Sequence, residues 1–211
     1  MEFENALSQV LPADLPNRDV VVSKCARHLE LIVEANEYMN LTRIVSPYDA
    51  AVKHVLDSVL PWRLFAGAKH VLDAGTGAGF PGIPLALVLP DVRFTLAESI
   101  QKKARFVEAA VVALELPNAT VSARRAEELA REGRVDIVTA RALAPLSRTL
   151  DLFGAAFKKG TRALLYKVPD VDQEIAEAKR EADRLRLKVG IAMRFELPEG
   201  MGSRTIIEIA G

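Results

Sequence analysis

The chain has 211 residues, 28 basic and 28 acidic, with no net charge and half of its residues hydrophobic. This length fits one domain with an appendage or two small ones, and the charge balance gives no global signal for nucleic acid, so any RNA contact rests on local basic groups. A lone Cys25 excludes an internal disulfide and matches a reducing cytoplasm, no apolar run approaches a membrane span, and the first ten residues do not read as a secretory signal.

Residues 1–18, punctuated by Pro12, Pro16 and Asn17, read as an irregular or short helical lead. From Asp19 to Met39 apolar residues recur at helical spacing, with Asp19 or Ser23 as the cap. Asn40-Leu41-Thr42 breaks that helix. Pro47 and Tyr48 open another, which runs through Val55 and Val59 and stops before Pro61; Gly67 closes the region. His54, Asp57 and Ser58 share this helix. One helix cannot supply the nucleophile–base–orienter geometry of a triad, so a His54–Asp57 hydrogen bond that orients the helix is expected instead. His28 and His70 have no partner visible in the sequence. Residues 1–66 are read as an N-terminal helical cap and 67–211 as an α/β domain.

From Lys69 the pattern alternates. Strands are expected at 69–73, 92–97, 119–122, 135–139, 161–167, 187–196 and 204–209. Helices are expected at 82–89, 101–115, 126–132, 145–157 and 170–185. Strand followed by helix, repeated, predicts a largely parallel sheet covered on both faces. Only the short loop 198–203 joins the last two strands, too short for a parallel crossover, so they form an antiparallel hairpin at or near the sheet edge.

The first strand leads into KHVLDAGTGAGFPGIPL, residues 69–85. Glycine permits positive φ and close approach of a ligand, and the helix start adds unpaired N–H groups. Pro81 and Pro84 suit a first helical turn. Asp73-x-Gly75-x-Gly77-x-Gly79 is the pattern of S-adenosylmethionine-dependent methyltransferases, which makes Asp73, Gly75, Gly77 and Gly79 candidate cofactor residues. Gly77-x-Gly79-x-x-Gly82 is formally the dinucleotide fingerprint of an NAD-dependent oxidoreductase, but that frame leaves Asp73 and Gly75 unexplained. A catalytically silent S-adenosylmethionine-binding or RNA-binding module is the third reading.

The second strand ends at Glu98, about twenty residues on, where an acid accepts hydrogen bonds from ribose hydroxyls. Alternatively Glu98-Ser99 caps the next helix. After the third strand, backbone around Ala126 and the Glu127 side chain can hold an adenine edge; the competing reading of Arg124 to Glu128 is a solvated charge cluster. After the fourth, Arg141 is placed to hold a methionine carboxylate, a phosphate or the substrate base. We assign it the orienting role at the methionine end. Arg124, Arg125 and Lys167 are the substrate-binding candidates. Short basic groups at 102–105, 124–125, 158–162 and 179–180 would track phosphates if two or three shared a face. No Cys or His cluster has metal-ligand spacing, and no metal is expected.

Asn40-Leu41-Thr42, KHVLDS at 53–58, LDAGTGAGFPGIPLA at 72–86, Glu98-Ser99 with KKARF at 102–106, Arg125-Ala126-Glu127-Glu128 and Thr139-Ala140-Arg141-Ala142 together resemble one family. It is the ribosomal RNA small subunit methyltransferase G family, also called glucose-inhibited division protein B, over roughly residues 30–167. The proline-containing tail of the glycine string makes the resemblance specific. Glu98 stands where that family usually has Asp, and Lys167 precedes Val168-Pro169 where it often has Gly.

The resemblance implies a Rossmann-like class I S-adenosylmethionine-dependent methyltransferase fold. It implies methyl transfer from S-adenosyl-L-methionine to N7 of a guanine in 16S rRNA, without a general base or metal. It implies cofactor contacts at Gly75, Phe80, Glu98, Ala126, Glu127 and Arg141. The expected partner is 16S rRNA or the small ribosomal subunit, and the protein is expected to be a cytoplasmic monomer.

Overall fold

The computed structural model describes residues 1–141, 144–168 and 170–211. Ala142 and Pro169, both read above as flanking the site, lie outside the described residues. Three helical stretches come first: α1 (Glu2–Val10), α2 (Arg18–Met39) and a continuous helical run from Pro47 to Val59. That run comprises α3 (Pro47–Ala50), a π-helical stretch (Ala51–Leu56) and α4 (Asp57–Val59). Asn17 precedes α2 and Asn40 ends it, both in the left-handed conformation that Asn tolerates. The expected caps Asp19 and Ser23 instead lie within the helix, and no side chain caps it.

Seven strands follow: β1 (His70–Ala74), β2 (Arg93–Ala97), β3 (Ala119–Ser122), β4 (Ile137–Arg141), β5 (Arg162–Lys167), β6 (Lys188–Glu196) and β7 (Ser203–Ala210). Helices α5 (Gly82–Val88), α6 (Gln101–Ala113), α7 (Ala126–Glu132), α8 (Leu146–Phe157) and α9 (Asp172–Leu185) connect them. The sheet order is β3-β2-β1-β4-β5-β7-β6. The first five strands run parallel, and β7 lies antiparallel to both β5 and β6. The expected hairpin is present, with β6 outermost.

Alternation along each strand builds two cores. Val71, Phe94, Leu96, Ile137 and Ile206 face one cluster, which also takes in α1, α2 and the α3–α4 run. Leu72, Ala97, Val138, Leu165 and Ile207 face the other, under α8 and α9. The N-terminal helices thus share one apolar cluster with the sheet. Among the described residues no helix is long and apolar enough to cross a membrane.

Strand order reverses between β1 and β4. Ligands of open α/β sheets bind in the crevice at the carboxyl ends of strands flanking such a point. β4 begins two residues later than expected, and the Asp136 carboxylate just before it accepts the backbone N–H groups of Lys69 and His70. Pairing with β5 carries the strand to Arg141, in register with Tyr166, so Arg141 is the last residue of the strand rather than a loop residue beyond it.

Candidate functional site

The turn after β1 is folded by its own acid. Asp73 Oδ2 accepts hydrogen bonds from Thr76 Oγ1 (2.6 Å) and from the Gly82 N–H at the start of α5 (2.9 Å). The side chain is fully buried, and burial pushes its carboxyl up to about 6. Asp73 thus clasps the loop to the helix. Gly75 and Thr76 N–H groups both donate to the Ala97 carbonyl, which ties the loop to β2.

The glycines divide the work. Gly75, Gly77 and Gly79 all have positive φ. Gly75 is exposed, whereas Gly79 is buried, and a Cβ there would press on Ile83 and the His28 ring. At Gly77 a Cβ would meet only the Gly75 carbonyl, at 4.0 Å. The loop is therefore open to a ligand at Gly75 and Gly77. It is closed at Gly79, the middle glycine of the dinucleotide frame, which in that frame must approach a pyrophosphate.

Glu98 is buried beneath this loop. Its Oε2 accepts from Gly77 N–H (3.2 Å) and its Oε1 from Ile100 N–H (2.8 Å), so Glu98 rather than Ser99 holds the start of α6. Beside it a cavity of about 290 Å³ is lined by Gly75, Ala97, Ser99, Ala126, Glu127 and Leu152, with Arg124, Arg125, Ala144 and Arg148 at its border. Arg124 is committed to Glu132, with two bonds of 2.8 and 2.7 Å. Arg125 is 70% exposed and 3.8 Å from Glu127.

A second cavity, about 600 Å³, adjoins the first at Ala144. Its walls include Lys53, His54, Asp57, Arg141, Tyr166, Lys167 and Arg204. Arg141 Nη1 donates to the Lys53 carbonyl (2.9 Å) and lies 3.5 Å from Asp57 Oδ2. Arg204 Nε donates to the same Asp57 oxygen at 3.1 Å. Asp57 is 1% exposed; burial pushes its pKa up, while Arg141 and Arg204 pull it down less strongly. Lys167 Nζ is held by the Ala144 carbonyl and Glu174 Oε1, both at 2.7 Å, and Glu174 also accepts the Leu146 N–H that opens α8.

His54 corrects an expectation. It makes no hydrogen bond to Asp57; its ring meets Thr42 Oγ1 (3.1 Å) through Nε2 and Arg141 Nη2 (3.4 Å) through Nδ1. Arginine only donates, so Nδ1 accepts and Nε2 carries the proton toward Thr42. Burial, with Arg141 beside it, pushes His54 down to about 4. Ser58 Oγ donates to the His54 carbonyl and the Tyr166 hydroxyl to the Ser58 carbonyl. The chemistry-bearing residues of this helix thus hold it to the loop after α2, to β4 and to β5 in place of a triad.

Phe80 lies among these groups. His54 stacks on its ring at 4.8 Å, and His28 is tilted against it at 4.9 Å. His28, partnerless by sequence, bonds the Ala78 carbonyl through Nε2 at 2.8 Å and supports the glycine loop from behind. His70 also has partners, the Arg134 carbonyl (2.9 Å) and Thr95 Oγ1 (2.8 Å), at the other end of the sheet.

The sequence-predicted residues therefore fall into groups. Gly75, Ala126 and Glu127 line one cavity, and Arg141 and Lys167 the other. Asp73, Gly79, Phe80 and Glu98 are buried behind the surface that the cavities expose. The three substrate-binding candidates are split, Arg124 and Arg125 at the first cavity and Lys167 at the second. Sequence reasoning missed Arg204, Tyr166 and the role of Asp57. Asp57 stood inside the KHVLDS marker, but Arg204 carried no signal.

The family model described as rRNA small subunit methyltransferase G matches residues 22–196. The "Ribosomal RNA small subunit methyltransferase G" of Solibacter usitatus is 59% identical over 209 residues, covering 99% of this chain and all of the relative. That of Carboxydothermus hydrogenoformans is 35% identical over 187 residues, covering 86% and 79%. Among solved structures, the Bacillus cereus O-methyltransferase in complex with SAH superposes with a TM-score of 0.58 at 18% identity, covering 88% of this chain and 91% of that one, a likeness of fold. By the extent of the family match and the identity to these relatives, the chain belongs to the rRNA small subunit methyltransferase G family.

Proposed function

We propose that the protein transfers the methyl group of S-adenosyl-L-methionine to N7 of a guanine in 16S rRNA, as a monomer acting in the cytoplasm on the RNA or the small subunit. The observation that carries this reading is the pair of cavities meeting at Ala144, at the carboxyl ends of the strands and beside the open glycines. When bound, the cofactor supplies an electrophilic methyl group.

The residues present fit such a group. The first cavity is lined by small residues, the Glu127 carboxylate, Leu152 and three arginines, with Ala126 and Glu127 suited to an adenine edge. The exposed Gly75 and the open side of Gly77 admit close approach of a ribose, with Glu98 beneath as acceptor. Arg141 lines the second cavity, anchored by the Lys53 carbonyl and Asp57, and it orients the methionine carboxylate. Residues 1–66 act as a cap: Ile44 and the helical run that carries Lys53, His54 and Asp57 close one side of the second cavity.

Guanine N7 carries no proton, so the reaction needs alignment rather than a base, and orientation can supply about 7–11 kcal/mol in favourable cases. The histidines agree. His28 and His54 are both held near 4 and engaged in hydrogen bonds, so neither is poised to carry a proton at neutral pH. Incubation with labelled S-adenosylmethionine and 16S rRNA or small subunits from a strain lacking the modification, with mapping of the labelled nucleotide, tests the proposal. No incorporation into either substrate by folded protein rejects it. Binding of cofactor and RNA without transfer identifies a silent module. Binding of NADH rather than S-adenosylhomocysteine identifies an oxidoreductase, which the buried Gly79 disfavours.

A further inference from the structure

The opposite end of the sheet is basic without serving the site described above. There β2, β1, β4 and β5 begin side by side, with His70 in register with Arg93 and Ile137 with Arg162. Two adjoining cavities, of about 610 and 540 Å³, share Arg134, Asp136 and Gly160. Their walls carry six basic side chains, Lys69, Arg93, Arg131, Arg134, Lys159 and Arg162, against two acids, Glu132 and Asp136. The chain as a whole is neutral, so this is a local concentration of charge.

The acids there are already committed. Asp136 Oδ2 accepts the N–H groups of Lys69 (2.7 Å) and His70 (2.9 Å). Glu132 is paired with Arg124 at 2.7 Å, and Arg162 is paired with Glu208 at 2.7 Å. By contrast Lys69, Arg93, Arg131, Arg134 and Lys159 are exposed, and among the described residues none has a carboxylate oxygen within 4.0 Å. Five cations without a carboxylate partner, gathered around the strand ends, make a local positive potential that attracts an anion. The starts of four neighbouring strands at about 4.8 Å spacing span about 15 Å, and these cations lie on them, on the loops that lead into them and on the last turn of α7. That form suits an extended polyanion rather than a single phosphate.

We propose that this amino-terminal edge of the sheet is a second RNA-binding surface, which tracks the phosphodiester backbone of the ribosomal RNA substrate away from the target guanine. The proposal rests on the reading of the chain as an rRNA methyltransferase. Strands of five or six residues separate the two ends by about 17–20 Å. RNA bound here therefore contributes affinity and orientation without reaching the methyl-transfer cavity.

The test is filter binding of unmodified 16S rRNA across a salt series. It compares the wild type with the variant Lys69→Gln/Arg93→Gln/Arg134→Gln/Lys159→Gln. A control neutralises Arg27, Arg105, Lys179 and Arg180, which line none of the cavities at either end of the sheet. Each lost phosphate contact flattens the log–log salt dependence by about 0.7–0.9. The variant is expected to lose about 3 in slope and at least about tenfold in affinity at low salt, while S-adenosylhomocysteine affinity and melting temperature stay at wild-type values. Arg93→Gln/Arg134→Gln is expected to lie between. A slope and Kd equal to wild type overturn the proposal, as does an equal loss in the control. Wild-type protein that binds RNA without salt dependence overturns it together with the rRNA reading, whereas normal wild-type binding with an unaffected variant overturns the second surface alone.

Discussion

The guanidinium carbon of Arg141 lies 5.2 Å from the centroid of the Phe80 ring. The family-specific tail of the glycine turn is thus in contact with the cation at the end of β4. A cation over an aromatic face gains about 0.5–2 kcal/mol, more when desolvated. Phe80→Leu keeps the apolar volume and removes the ring face. It should lower stability by about 1–2 kcal/mol and weaken S-adenosylhomocysteine about three- to tenfold, as Arg141 loses one of its constraints. Urea titration and calorimetric binding on the same preparation check both.

Arg141→Ala leaves Asp57 buried with Arg204 as its remaining cation. Breaking a buried ion pair from one side costs about 3–5 kcal/mol. The expected outcome is a destabilised protein that loses at least about tenfold in cofactor affinity, with rRNA affinity within about twofold of wild type. Arg141→Ala/Asp57→Asn should recover stability but not cofactor binding. Parallel isotherms for cofactor and RNA decide it; a loss confined to RNA would place Arg141 on the substrate side.

Gly75→Asp probes the open side of the turn. Gly75 is exposed at φ +71, so the substitution strains the backbone and adds a carboxylate where the cofactor approaches. We expect a stability cost of about 1–2 kcal/mol and cofactor binding weakened by at least about 100-fold. Wild-type affinity in the folded variant would remove Gly75 from the cofactor site.

The buried His28 predicts an acid response. Burial depresses its folded pKa to about 4 from an ordinary 6.5. The unfolded chain then binds more protons between these values, so His28 contributes stability that is full above 6.5 and declines as pH falls toward 4. Between pH 7 and 5 the loss is about 2 kcal/mol. Asp73, raised to about 6, acts in the opposite direction over part of this range, because its protonated form is favoured in the fold. His28→Gln retains a donor toward the Ala78 carbonyl and does not titrate. Its urea stability should therefore fall less than that of the wild type between pH 7 and 5, by about 2 kcal/mol. Equal changes in the two proteins would refute the assignment.

What the sequence disclosed follows from which interactions are local. Alternating strands and helices were legible because Val71-Leu72 and Phe94-Thr95-Leu96 report burial on both faces of a sheet. The glycine turn was legible because positive φ restricts residue type within a few positions. The π-helical stretch was not, because Ala51 to Leu56 show ordinary helical spacing and the wider turn depends on what packs around it. The tie between Glu98 and the glycine loop was not legible, because it needed the position of Gly77, 21 residues away. The Asp57–Arg204 bond joins residues 147 apart, and its existence depends on the final strand order.

That strand order has a consequence for synthesis. β6 leaves the ribosome before β7 but lies outside it, and its one strand partner is β7. Until residues 203–210 emerge, the half-made sheet ends at β5 with an open edge, and β6 has nothing to pair with. The same late strand brings Arg204 to Asp57, so a nascent chain holds an acid beneath the site that is only half neutralised. Catalytic competence should therefore appear abruptly with the last strand rather than grow with chain length.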